Sequence, residues 1–136
     1  MEAGQKRSVL LLDDEKFLLD LYRIVFERNG FEVTSFTSAD DALQLLRADY
    51  HPDVILFDIT MPQGKSGYEF IETIVREGLA KGSMKVALTN EAQEGEIQRI
   101  RELGADAHMV KALYVPSQLA SVVGDMLAKW KSNAPA

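Results

Sequence analysis

The chain has 136 residues, 46% hydrophobic and 26% charged, the make-up of one ordinary globular domain with a proper core. A net charge of -6 argues against direct binding to nucleic acid or to an anionic membrane, both of which need a basic face. There is no cysteine, which excludes disulfides, thiolate metal sites and thiol nucleophiles.

Residues 1–6 are expected to be a polar tail before a domain spanning 7–131. Ser8-Val9-Leu10-Leu11-Leu12 is a solidly apolar run, expected as a strand, and it ends in Asp13-Asp14-Glu15. Phe17, Leu18, Leu21, Ile24 and Val25 follow at helical spacing and are expected to be the inward stripe of a first helix, stopped by Asn29-Gly30. Most of that stripe is expected in the core, Leu21 included. Phe17 and Leu18, beside the acidic pair, are the candidates for facing outward. Residues 31–36 alternate as a half-exposed edge strand does, and Ser38-Ala39-Asp40-Asp41 resembles a capping box before Ala42, Leu43, Leu45 and Leu46.

Pro52-Asp53-Val54-Ile55-Leu56-Phe57-Asp58 holds four consecutive apolar residues closed by an aspartate, the pattern of a strand buried on both faces. Residues 60–67, with a proline and two glycines, are a loop, and Tyr68, Phe70, Ile71, Ile74 and Val75 mark a third helix. A fourth strand covers 84–89, a short helix carries Ile97, Ile100 and Leu103, and a fifth strand covers 106–111. Pro116 suits the first turn of a last helix with Leu119, Val122, Val123, Met126, Leu127 and Trp130, before a tail at 132–136. Strict alternation of five strands and five helices implies right-handed crossovers and a three-layer α/β domain with a parallel sheet. No run approaches the roughly 20 apolar residues of a membrane span, and the polar start gives no signal peptide, so a cytoplasmic protein is expected.

Parallel strands end together, so Asp13, Asp14, Asp58, Thr89 and Lys111 are expected to meet at one sheet edge, where open α/β sheets hold their chemistry. Taken singly, each has an ordinary reading: a turn or cap for the aspartates, a solvated charge for Lys111. Their coincidence at one edge is what points to function. Three clustered carboxylates repel, and a hard oxygen-only set with few protein ligands suits Mg²⁺.

The order Leu-Leu-Leu-Asp-Asp, Val-Ile-Leu-Phe-Asp-Ile-Thr-Met-Pro, Ala-Leu-Thr and Met-Val-Lys resembles the receiver domain of two-component response regulators over nearly the whole chain. The resemblance implies a flavodoxin-like (βα)5 fold with strand order 2-1-3-4-5. It implies Asp58 as phosphoacceptor, Asp13 and Asp14 as the acidic pair holding Mg²⁺, and the Thr60 backbone carbonyl as a further ligand. Thr89 would be the switch hydroxyl, Lys111 the phosphate-pairing lysine and His108 the occupant of the switch-aromatic position. Thr60 and Glu91 would tune the lifetime of the phosphorylated state. Partners would be a histidine kinase or histidine phosphotransfer protein and a downstream protein target. Such a protein assists its own Mg²⁺-dependent phosphorylation without being an enzyme on other substrates, and this chain would work as a stand-alone switch signalling through the fourth helix, fifth strand and fifth helix.

Three positions depart from the family pattern: Ala112 replaces the proline after the lysine, the 63–66 loop is one residue longer, and Asn90 follows Thr89. A trans Lys111–Ala112 bond is expected, because a cis bond before alanine costs about 2.5–4 kcal/mol. A haloacid-dehalogenase-type phosphatase would need a second aspartate where Thr60 stands. A flavodoxin would need a Ser/Thr/Gly-rich loop where Asp13-Asp14-Glu15 stands. The remaining alternative is a receiver fold used as an interaction module without phosphorylation.

Overall fold

The computed structural model describes residues 6–62, 64–91 and 93–132. Among them the strands β1 (Arg7–Leu12), β2 (Phe31–Phe36), β3 (Val54–Asp58), β4 (Met84–Thr89) and β5 (Ala107–Val110) form one parallel sheet in the order β2-β1-β3-β4-β5. The apolar run of β3 and the whole of β4, Lys85 and Thr89 included, are buried at every position, as central parallel strands must be, while the alternating β2 takes an edge. Helices α1 (Lys16–Arg28) and α5 (Pro116–Ser132) cover one face. Helices α2 (Ala39–Arg47), α3 (Gly67–Glu77) and α4 (Glu94–Leu103) cover the other. The sheet's order reverses at β1, which pairs with β2 on one side and β3 on the other, leaving a crevice at their carboxyl ends. Of the expected tails, residues 1–5 and 133–136 lie outside the described residues, and Ser132 closes α5.

Several elements differ from the sequence reading. In α1 the fully buried residues are Leu19, Tyr22 and Phe26; of the expected stripe, Leu18 and Val25 are half-buried against the core, while Leu21 and Ile24 turn outward. Phe17, Leu21 and Ile24 are 79%, 40% and 46% exposed. The helix carries two overlapping apolar stripes, and the two aromatics win the sheet-facing side because they bury more apolar surface there. Phe26 meets Phe31 of β2 edge-on at 5.2 Å. Val75 of α3 likewise faces outward. Ser38 caps α2 by accepting the Asp41 amide hydrogen, but the reciprocal capping box is at Ser66 and Glu69, which starts α3. β5 is shorter than expected: Lys111 leaves it and opens a 3₁₀ turn, Lys111–Leu113, with the Lys111–Ala112 peptide trans.

Candidate functional site

Register alone brings the acidic residues together. Leu12 is level with Phe57, which sets the next residues, Asp13 and Asp58, side by side at the carboxyl edge. Carboxylate oxygens of Asp13, Asp14 and Asp58 come within 4.8 Å of one another. Asp13 and Asp58 are buried and Asp14 is half-buried, so the group opens to solvent on the Asp14 side. Lys111 reaches in from the 3₁₀ turn. Its Nζ donates to Asp13 Oδ2 at 2.8 Å and to Asp58 Oδ2 at 3.1 Å. The remaining oxygens of the pair are held by backbone: the Glu15 amide donates to Asp13 Oδ1 and the Thr60 amide to Asp58 Oδ1.

One ammonium faces three carboxylates, so the charge balance is incomplete. Burial pushes the Asp58 carboxyl up to about 6; Lys111 pulls it down, Asp13 pushes it up, and the Thr60 amide pulls it down. Burial works to lower the Lys111 ammonium, but its hydrogen bond to Asp13 and the charge of Asp58 outweigh that and raise it. The acidic surplus, made of oxygen donors only, fits a hard divalent cation. Thr89, at the end of β4, fits an anion beyond it. Its Oγ1 is fully buried and has no hydrogen-bond partner among the described residues, a costly state for a hydroxyl unless a ligand oxygen meets it.

The other sequence-derived candidates are placed differently. Thr60 borders the cluster through its amide, with its side chain exposed. Glu91 is exposed in the segment after β4, where it accepts from Gln93 Nε2. His108 is not part of the cluster. It pairs in register with Ala87 and lines a small cavity of about 30 Å³ with Ile97, Ile100 and Arg101, between β5 and α4.

Gly67, in sequence an ordinary loop glycine, is a site residue. A Cβ there would stand 2.2 Å from the Asp58 carbonyl oxygen and 2.5 Å from Ile59 Cα, and its amide donates to Ile59 O. The glycine lets α3 begin against the strand end that carries Asp58. Gly67→Ala is therefore expected to cost about 1–3 kcal/mol by overpacking and to displace Asp58. Urea unfolding measures the first and amide shifts at residues 58–60 the second. Wild-type values for both would contradict this account of the close approach.

A doubly wound parallel sheet with this constellation at its switch point defines a receiver of two-component signalling. Residues 9–123 match the response regulator receiver domain family, and the chain belongs to it. It is 32% identical over 122 residues to the polar-differentiation response regulator DivK of Brucella ovis, covering 88% of this chain and 98% of that protein. The DivK protein of Brucella anthropi is 30% identical over the same length. In fold it is similar to a CheY-like receiver domain protein from Methanospirillum hungatei JF-1 (TM-score 0.82, 24% identity, 96% of this chain and 100% of that one). The chemotaxis response regulator CheY4 of Vibrio cholerae is similarly alike (TM-score 0.79, 24% identity, 89% and 98%). Receivers are signalling switches that interact with kinases or phosphotransfer proteins and with downstream targets. No described helix is long and apolar enough to cross a membrane.

Proposed function

We propose that Asp58 accepts a phosphoryl group from a histidine kinase or histidine phosphotransfer protein, and that the phosphorylated chain signals through α4, β5 and α5. A carboxylate oxygen of Asp58 attacks phosphorus, the P–N bond of the phosphohistidine breaks, and its electron pair returns to the imidazole nitrogen. Asp13, Asp14, Asp58 and the Thr60 backbone carbonyl would hold Mg²⁺, which when bound offsets negative charge on the phosphoryl oxygens. Lys111 supplies the chain's own positive charge at the same place, and Thr89 Oγ1 donates a hydrogen bond to a phosphoryl oxygen. Because the transition state spreads charge over those oxygens, positioning and electrostatics carry the step. The single observation that carries this reading is the buried Thr89 hydroxyl, without a partner among the described residues and one position past the register partner of Asp58, at the strand edge where a lysine contacts the carboxylate cluster. Phosphate uptake from acetyl phosphate, followed over time with Mg²⁺ and with EDTA, tests it. Uptake that EDTA abolishes is expected; no uptake in either condition would favour the interaction module without phosphorylation.

Thr60 and Glu91, on the segments after β3 and β4, would border the route of the water that hydrolyses the phosphoryl group. The Thr60→Asn, Glu91→Ala double variant is expected to keep full uptake and to change the decay rate of the label after donor removal. An unchanged decay would remove both residues from that role.

The exposed stripe of α1 is the surface for the phosphodonor protein. Phe17, Leu21 and Ile24 recur at i, i+4 and i+7 just after the acidic pair, an apolar strip that suits another helix. Leu21 joins the docking surface here, whereas Leu18 is half-buried and packs on the core. Phe17→Asp with Leu21→Asp is expected to lower the rate of phosphotransfer from a cognate donor at least tenfold, the loss of roughly 1.4 kcal/mol or more. Uptake from acetyl phosphate should stay the same. Equal loss with both donors, or with neither, would contradict the docking role.

A further inference from the structure

Helix α4 is the least anchored helix of the domain. Only Ile100 is fully buried in it, against five residues each in α3 and α5, and its N-cap residue Gln93 makes no side-chain cap. Its carboxyl half is fixed by Ile100 and by the left-handed Gly104 cap, where the Val75 side chain of α3 leaves no room for a Cβ. Its amino half has a different tie. Tyr68 Oη donates to Glu96 Oε2 at 3.0 Å, and the Arg99 guanidinium lies 4.0 Å from the centre of the Tyr68 ring. Glu96 and Arg99 are one turn apart on α4, so a single phenol engages both through its two polar features: a charge-assisted hydrogen bond at the edge and a cation over the face. Burial and the neighbouring Glu96 carboxylate raise the Tyr68 phenol, so that it stays a donor.

The place of this tie gives it meaning. Tyr68 immediately follows Gly67, which packs on Asp58 and Ile59. Glu96 is the third residue of the helix reached from Thr89. Ile97, next to Glu96, lines the small cavity under His108. Tyr68 thus joins the segment that begins at the phosphoacceptor to the helix whose other side closes over β5.

We infer that Tyr68 is a latch: its bond to Glu96, seconded by Arg99, holds the amino half of α4 in the resting position, and release of this latch is what lets α4 and His108 move when Asp58 is phosphorylated. The inference rests on the switch function proposed above and assigns it a positioning residue that never touches the phosphoryl group. In this scheme the resting chain samples the released state as a minor population, and phosphorylation shifts that equilibrium. Removing the latch enlarges the minor population without phosphate.

The full chain carries the test, through amide hydrogen exchange and backbone NMR of wild type, Tyr68→Phe and Glu96→Gln. Tyr68→Phe keeps the ring under Arg99 and deletes only the hydroxyl. Glu96→Gln keeps an acceptor and deletes only the charge. Tyr68→Phe is expected to speed exchange of the α4 amides at 97–100 about fivefold, the usual reach of one lost hydrogen bond, while α3 and α5 keep wild-type rates. Glu96→Gln should give a smaller change in the same direction. The α4 and His108 resonances of Tyr68→Phe should lie on the line joining the wild-type positions without and with beryllofluoride. Unchanged α4 exchange, or an equal rise in every helix, would overturn the latch and leave only a packing role. If beryllofluoride with Mg²⁺ moves the Asp58 region of wild type while Tyr68→Phe leaves α4 at rest, the latch fails and the switch function stands. If wild type shows no response at Asp58, the switch function fails, and the latch with it.

Discussion

Replacing Asp58 by asparagine is expected to stabilise the metal-free protein near neutral pH. A carboxyl whose folded value is about 6 against 3.8 in the unfolded chain binds its proton more tightly when folded. The stability due to its protonated form is complete below about 3.8 and is lost as pH rises through about 6. Above that range the ionised group costs up to about 3 kcal/mol. Asparagine fills the same volume without the charge, but it leaves Lys111 with Asp13 as its only carboxylate partner among the described residues. The expected net gain is about 1–2 kcal/mol in urea unfolding at neutral pH with EDTA, shrinking towards zero below pH 4. Added Mg²⁺ should stabilise wild type far more than Asp58→Asn. A variant less stable than wild type at neutral pH in EDTA would mean that Lys111 already balances the site, contrary to the charge count.

Removing the Lys111 ammonium is expected to have the largest effect on chemistry while sparing the nucleophile. Among the described residues its Nζ is the one side-chain cation in contact with both buried aspartates, at 2.8 and 3.1 Å. It supplies preorganised positive charge that need not be drawn from solvent during the reaction. Loss of one such group from a site of this kind costs about 10²–10³ in rate. Lys111→Ala should therefore take up phosphate from acetyl phosphate about 10²–10³-fold more slowly, and the residual uptake should still require Mg²⁺. The variant also leaves Asp13 and Asp58 facing each other without a counter-ion. It should consequently lose stability as pH rises above about 6, and Mg²⁺ should restore much of the loss. Rapid-quench uptake and unfolding in parallel separate the two effects. A rate within a factor of a few of wild type would remove Lys111 from the chemistry.

What the sequence made legible, and what it hid, follows from the kind of contact involved. β1, β3 and β4 stand out because strands buried on both faces cannot hide an apolar run, and the residues closing them must meet once the sheet is parallel. Asp13, Asp58, Thr89 and Lys111 were therefore within reach of one-dimensional reasoning. The inward face of α1 was not: Leu21 and Tyr22 are neighbours on overlapping stripes, and only packing against Phe31 and the sheet decides which turns in. Gly67 looked like any loop glycine because the atom that excludes a Cβ belongs to Asp58, nine positions earlier. Lys85 is a similar case. It lies buried inside β4, its ammonium donating to Ser83 O, where periodicity gave no sign of a buried charge. The tie between Tyr68 and α4 joins side chains 28 positions apart and has no sequence signature.

Locating the phosphoryl group on the chain tests the central claim most directly. The protein is incubated with acetyl phosphate and Mg²⁺, the acyl phosphate is trapped by borohydride reduction, and the peptides are sequenced by tandem mass spectrometry. The expected result is a single reduced residue, at Asp58, that is missing when EDTA is present and in Asp58→Asn. Trapping at Asp13 or Asp14 instead, or a phosphoryl group retained by Asp58→Asn, would contradict the assignment of Asp58 as the acceptor.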